Sequence, residues 1–188
     1  MNAPVGRTFM VQHLHLGPAG KVRTFLETSL PLGGQLGQIF EQDGKFYRLV
    51  QVDLTDAVDF IDGGVVYWAD KATYKVTADA SGGEALANGV AGGSHLVIDV
   101  STYTTGPYFF VQMGGDQAAV VVAASTVAGD QMSGHASTDN VLTRTAAGTG
   151  CVNKIAGIAL STRGTTTSDE GASVGNSSKI RWNLGNLI

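Results

Sequence analysis

The chain has 188 residues and a formal net charge of −4, from 12 Lys and Arg against 16 Asp and Glu, and it holds 26 glycines. Charged residues are 15% of it, against about 25% in an ordinary globular domain, too few to dress several exposed helices with ion pairs. No clustered Lys and Arg offer a nucleic-acid groove, and no stretch approaches the roughly 20 apolar residues of a membrane-spanning helix.

In chain order, residues 1–32 read as an N-terminal arm with mixed signals and a proline at position 31. Its beginning has no uninterrupted apolar run of the secretory type, and the single Cys151 excludes an internal disulfide, so synthesis in a reducing cytoplasm is expected. His13 and His15 form an H-x-H pair that a metal could use on one strand face. With no obvious third ligand, they read instead as the solvent-facing strip of an edge strand, and neither a metal nor another cofactor is expected.

Residues 33–188 read as the β domain. Ile39–Val52 predicts a hairpin, because Asp43-Gly44 separates two β-rich runs and both central positions of such a turn need positive φ. "DLTDAVDFI", Asp53–Ile61, has apolar residues at helical spacing and allows at most one short helix or turn. Further strands are expected at Val65–Trp68, Thr73–Thr77, His95–Val100, Tyr108–Met113, Ala118–Ala124, Val141–Thr145, Lys154–Leu160 and Lys179–Leu184. Gly, Ser, Asp, Asn and Thr clusters separate them, the pattern of an all-β barrel or sandwich.

Two units of this domain look related, about 63–115 and 129–186. Gly63-Gly64-Val65 and Gly129-Asp130-Gln131 are 66 residues apart (129 − 63), and Val90-Ala91-Gly92 and Ile155-Ala156-Gly157 are 65 apart (155 − 90). The shared order is Gly-rich turn, strand, polar loop, strand, apolar-Ala-Gly, long loop, closing strand.

Three features suggest chemistry. In "GHASTDN", His135, Ser137 and Asp139 are the residue types of a charge-relay hydrolase. A triad converges from distant segments, however, and alternate residues of an extended strand stand about 7 Å apart, so the stretch reads as turn chemistry and no catalytic residue is assigned. Tyr67, Trp68, Tyr74, Tyr108, Phe109 and Phe110 suit a core, or a platform stacking on sugars. Adjacent Tyr67 and Trp68 face opposite ways on a strand, which predicts that at most one is core and the other is free for an interface. Val120-Val121-Val122 is apolar without alternation, as in a strand covered on both faces or lying at a subunit interface.

The segments Val66-Tyr67-Trp68, Val76-Thr77, Gly89-Val90-Ala91 and Val111-Gln112, with Ile155–Ala159 and Ile180-Arg181-Trp182 as a second copy, resemble the head-decoration (capsid cement) proteins of tailed bacteriophages. The resemblance covers roughly residues 33 to 188. It implies a non-enzymatic β-barrel or β-sandwich protein of the virion, sitting on the outer capsid surface, clamping major capsid subunits and self-associating as a trimer. The residues expected at capsid or subunit contacts are Phe9, Val11, Phe25, Leu30, Trp68 and Trp182. A tail or head-fibre module that binds host-surface carbohydrate is the alternative.

Overall fold

The computed structural model describes residues 22–31, 33–81, 89–145, 155–169 and 171–184. Strands dominate: β1 Leu26–Glu27, β2 Ile39–Gln42, β3 Lys45–Val52, β4 Val65–Asp70, β5 Lys75–Thr77, β6 Val90–Gly93, β7 Tyr108–Val121, β8 Gln131–Gly134, β9 Leu142–Arg144, β10 Gly157–Ala159, β11 Gly164–Thr167 and β12 Ser173–Asn183. Two short 3₁₀ turns, Val22–Thr24 and Val100–Thr102, are the helical elements of the described residues. The chain is all-β, as its composition predicts.

The ladders close two rings. β3 pairs in parallel with β5, β5 with β4, β4 with β6, β6 with β7, and β7 returns to β3. The second half of β7 opens the next ring, which runs through β12, β10, β8 and β9 and closes by a parallel bridge from Leu142 to Val122, just past the end of β7. Closure leaves few open strand edges within each ring.

The registers of the two rings superpose by fixed offsets. Val65 pairs with Gly93 and Val66 with Gly92; 66 and 65 residues later, Gln131 pairs with Ile158 and Met132 with Gly157. Tyr67 with Thr77 and Trp68 with Val76 become Ser133 with Thr143 and Gly134 with Leu142. Val50 with Phe109 becomes Val120 with Ser178, and the parallel pair Val52 with Val76 becomes Val122 with Leu142. Each unit therefore begins one strand before the Gly-rich turn, with β3 in the first and the second half of β7 in the second. That strand is invisible as a repeat in the sequence, because "FYRLVQV" and "DQAAVVV" share little beyond apolar alternate positions.

The same inward positions fill both interiors. Val50, Val66, Val76, Ala91 and Val111 are buried in the first ring, and their counterparts Val120, Met132, Leu142, Ala156 and Ile180 in the second. Each of the eight larger side chains contributes about 1.5–3 kcal/mol when fully withdrawn from water, and the two alanines less, so together they account for much of the drive to close the rings. Phe60, packed edge-on to Phe109 at 5.3 Å, adds bulk to the first core.

Three local expectations are corrected. Asp53–Ile61 takes the turn alternative, not the helix: the Asp53 carboxylate accepts from the Thr55 backbone N–H and hydroxyl, and Phe60 bridges to Ile98. Leu54 and Val58 lean on the first core from an irregular loop, which mimics helical spacing. His95–Val100 holds only that bridge and the start of a 3₁₀ turn, and the ring strand lies earlier, at Val90–Gly93. The run at 108–113 and residues 118–121 of the run at 118–124 belong to one strand that passes between the rings at Gly114-Gly115; Gly115 has φ +79, and a Cβ there would lie 2.8 Å from the Gly44 carbonyl oxygen. Tyr67 and Trp68 are both buried, on opposite faces of β4: Trp68 in the first core, Tyr67 against the second ring.

Candidate functional site

The turn that carries His135, Ser137 and Asp139 is a joint between the rings. Tyr67 from β4 lies over Gly134, where an added Cβ would meet its Cε1 at 2.6 Å. Its hydroxyl donates to the Val141 carbonyl at 3.0 Å and accepts from the His135 backbone N–H at 3.2 Å. Burial raises the phenol well above its ordinary pKa, so the group stays protonated and keeps donating. His135 Nδ1 accepts the backbone N–H groups of Ser137 and Thr138 at 3.2 and 3.0 Å, and Asp139 accepts the Ala80 N–H at 2.8 Å. The imidazole and the carboxylate thus each hold backbone, and no hydrogen bond among the described residues links them into a relay.

A second polar group, which the sequence did not single out, is buried where the rings meet. Trp182 Nε1 donates to Gln117 Oε1 at 2.8 Å, and Gln117 Nε2 donates to the Ser94 carbonyl at 2.9 Å. Beside them, Gln112 Nε2 donates to the Gly114 carbonyl at 3.1 Å, which leaves Gln112 Oε1 as the acceptor for His95 Nε2 at 2.8 Å. The proton of neutral His95 therefore sits on Nε2. Nδ1 has no hydrogen-bond partner and lies 4.0 Å from Asp169 Oδ2. Burial holds His95 below its ordinary pKa, against the pull of Gln112 and Asp169.

Asp169 lies between β11 and β12 and binds Lys45 Nζ of β3 at 2.8 Å and, more loosely, Arg23 at 3.8 Å. Burial alone would raise this carboxyl, but its hydrogen bond and charge interaction with Lys45 hold it below its ordinary value. The arrangement fastens the second ring to the first and to the 3₁₀ turn before β1. It positions no nucleophile, and no group of three or more metal-ligating side chains occurs among the described residues.

The expected contact residues are scattered. Phe9, Val11, His13 and His15 lie outside the described residues, as does Cys151. Phe25 is half-buried, edge-on to Phe110 at 5.4 Å, while Leu26 and Glu27 pair with Phe109 and Tyr108, so the described end of the 1–32 segment is attached to the first ring. Leu30 is exposed. Trp68 and Trp182 are 5% and 3% exposed, so neither ring is presented to a partner on the surface of this chain, and a sugar platform built on them has no face. Periodicity marks indoles as interface candidates but cannot say that the facing surface belongs to the same chain.

The apolar side chains that do reach solvent are smaller, and two of them are repeats of each other. Ile61 and Val127 (61 + 66) each open a four-residue turn closed by a backbone hydrogen bond, Gly64 N–H to Ile61 O at 2.9 Å and Asp130 N–H to Val127 O at 3.2 Å. Both side chains are exposed, 37% and 47%. Scans against protein-family models, curated proteins and solved structures find no match to this chain. No helix of the described residues is long and apolar enough to cross a membrane.

Proposed function

We propose that this chain is a structural protein of a tailed-phage virion that binds the outer surface of the assembled head and ties neighbouring major capsid subunits together, acting as a homo-oligomer, a trimer in the arrangement the sequence resemblance implies. Its work is attachment: no nucleophile, cofactor or nucleic acid takes part. The observation that carries the reading is the duplication, in which two rings of one design expose an apolar side chain at the same turn, Ile61 and Val127. A surface that occurs twice on one chain suits a partner that is itself repeated, and two modest contacts on one chain bind far more tightly than either alone. The buried junction of Trp182, Gln117, His95 and Gln112 supports the same reading, since it fixes the two surfaces relative to each other.

The test is to add the purified chain to expanded heads that lack it. Saturable binding with raised resistance of the heads to heat or low salt is expected. Heads that melt at the same temperature with and without the chain would remove the clamping role.

A further inference from the structure

We infer that the outer face of the Phe60–Ile98 bridge is the primary contact of the first ring, and that it receives a basic, apolar-bearing element of the partner protein. The inference rests on the proposed capsid reading and adds which surface binds and what chemistry it meets.

Phe60 and Ile98 exchange both backbone hydrogen bonds, at 3.0 Å each, and turn their side chains into the first core. The flanking pairs therefore stand side by side on the outer face, Asp59 opposite Asp99 and Ile61 opposite Val97. All four are exposed, and Val97, at 70%, is the most exposed large apolar side chain of the described residues. Like charges flanking one bridge repel, although each carboxylate also accepts a backbone N–H, and an apolar pair beside them in water gains nothing for the fold. Among the described residues, no Lys or Arg lies within ion-pair distance of either aspartate: Lys45 and Arg23 are engaged with Asp169, Lys179 and Arg181 with Asp116.

In sequence, the stretch from Asp53 to Asp62 carries four aspartates and no base; Asp53 lies near Lys75 and Asp62 keeps an oxygen buried toward His95, so the exposed charge of this face is that of Asp59 and Asp99. In the second ring, the equivalents of Asp59, Ile61, Val97 and Asp99 are Ser125, Val127, Thr162 and Gly164, exposed and uncharged. The apolar turn is thus common to both rings, and the acidic rim is a property of the first. An apolar centre with an acidic rim fits a surface element that sets Lys or Arg beside aliphatic side chains, the rim charges steering and orienting the encounter.

The experiment measures co-sedimentation of the full chain with expanded heads over a salt series. Asn at position 59 or 99 keeps the oxygen that now accepts from Val100 N–H at 2.9 Å or from Ser101 N–H at 3.0 Å, so Asp59→Asn with Asp99→Asn removes charge and leaves the backbone held. At low salt this double variant is expected to bind roughly tenfold more weakly than wild type, and to lose most of the salt dependence that wild type shows. Val97→Ser is expected to weaken binding at every salt concentration while leaving the salt dependence intact. Wild-type binding matched by both variants at all salt concentrations would overturn this assignment and leave the capsid reading standing; a wild-type chain that binds no head would overturn the capsid reading itself.

Discussion

Gln117, in the second half of β7, and Trp182, in β12, are joined by a single hydrogen bond from the indole N–H to the amide oxygen, 2.8 Å long and wholly buried. The other end of that amide holds the Ser94 carbonyl, so one side chain serves both rings. Gln117→Ala would leave the buried indole N–H unpaired and the Ser94 carbonyl with only its bond from the Gly63 N–H, and is expected to cost about 1–3 kcal/mol. Trp182→Phe, which orphans only the Gln117 oxygen but also removes buried ring area, should cost about 2–3 kcal/mol. Urea denaturation of the two variants checks both figures.

The joint at Tyr67 predicts a different pair. Tyr67→Phe keeps the ring over Gly134 and loses the hydroxyl that bonds Val141 and His135, an expected loss of about 1–2 kcal/mol. Gly134→Ala drives a methyl into the same ring and should cost more. Thermal unfolding distinguishes the two, and a Gly134→Ala variant as stable as wild type would refute the close packing.

The equivalent turns respond unequally to the same change. Gly63 and Gly129 both have positive φ, +75 and +94, so alanine is strained at each. At Gly63 the new Cβ would also lie 2.7 Å from the Ala119 carbonyl oxygen, whereas nothing lies within 4 Å at Gly129. Gly129→Ala is expected to cost about 1 kcal/mol from backbone strain, and Gly63→Ala clearly more. Equal losses in equilibrium unfolding would contradict the difference in packing.

Acid is expected to lower stability first through His95 and then through the paired carboxylates. Buried His95 is held neutral in the native state, while in the unfolded chain it takes a proton near 6.5. Below that pH the unfolded state binds more protons, so stability falls as pH drops from about 6.5 toward the lowered native value and His95 then contributes no further loss. Asp169 and Asp116, both held below their ordinary 3.8, add their loss at lower pH, as the unfolded carboxyls protonate first. His95→Gln, whose amide N–H still reaches the Gln112 oxygen, is expected to abolish the first loss and leave the second. Stability measured by urea midpoint between pH 7 and pH 5 provides the check.

The sequence made some of this legible. Asp43-Gly44 announced its hairpin, and the structure gives those residues φ of 55 and 71 between β2 and β3. The offsets at Gly63 and Val90 were readable because turn glycines and apolar-Ala-Gly segments are short local signals. The leading strand of each unit was not, since its only shared property is apolar alternation. Gly114-Gly115 resembled a break because period-two patterns cannot show a strand changing rings. The junction at His95 also left no trace: Gln112, Gln117, Trp182 and Asp169 come from three distant segments, and only pairing between β7 and β12 brings them together. Asp59 and Asp99 became neighbours through a single bridge between irregular loops, beyond the reach of any periodic pattern.

Attachment to the outside of a phage head is tested most plainly by direct imaging of heads mixed with the purified chain. Ordered density is expected on the outer surface at repeated positions between major capsid subunits, with the rim of Asp59, Ile61, Val97 and Asp99 against the shell. Heads that remain bare at saturating protein would contradict it.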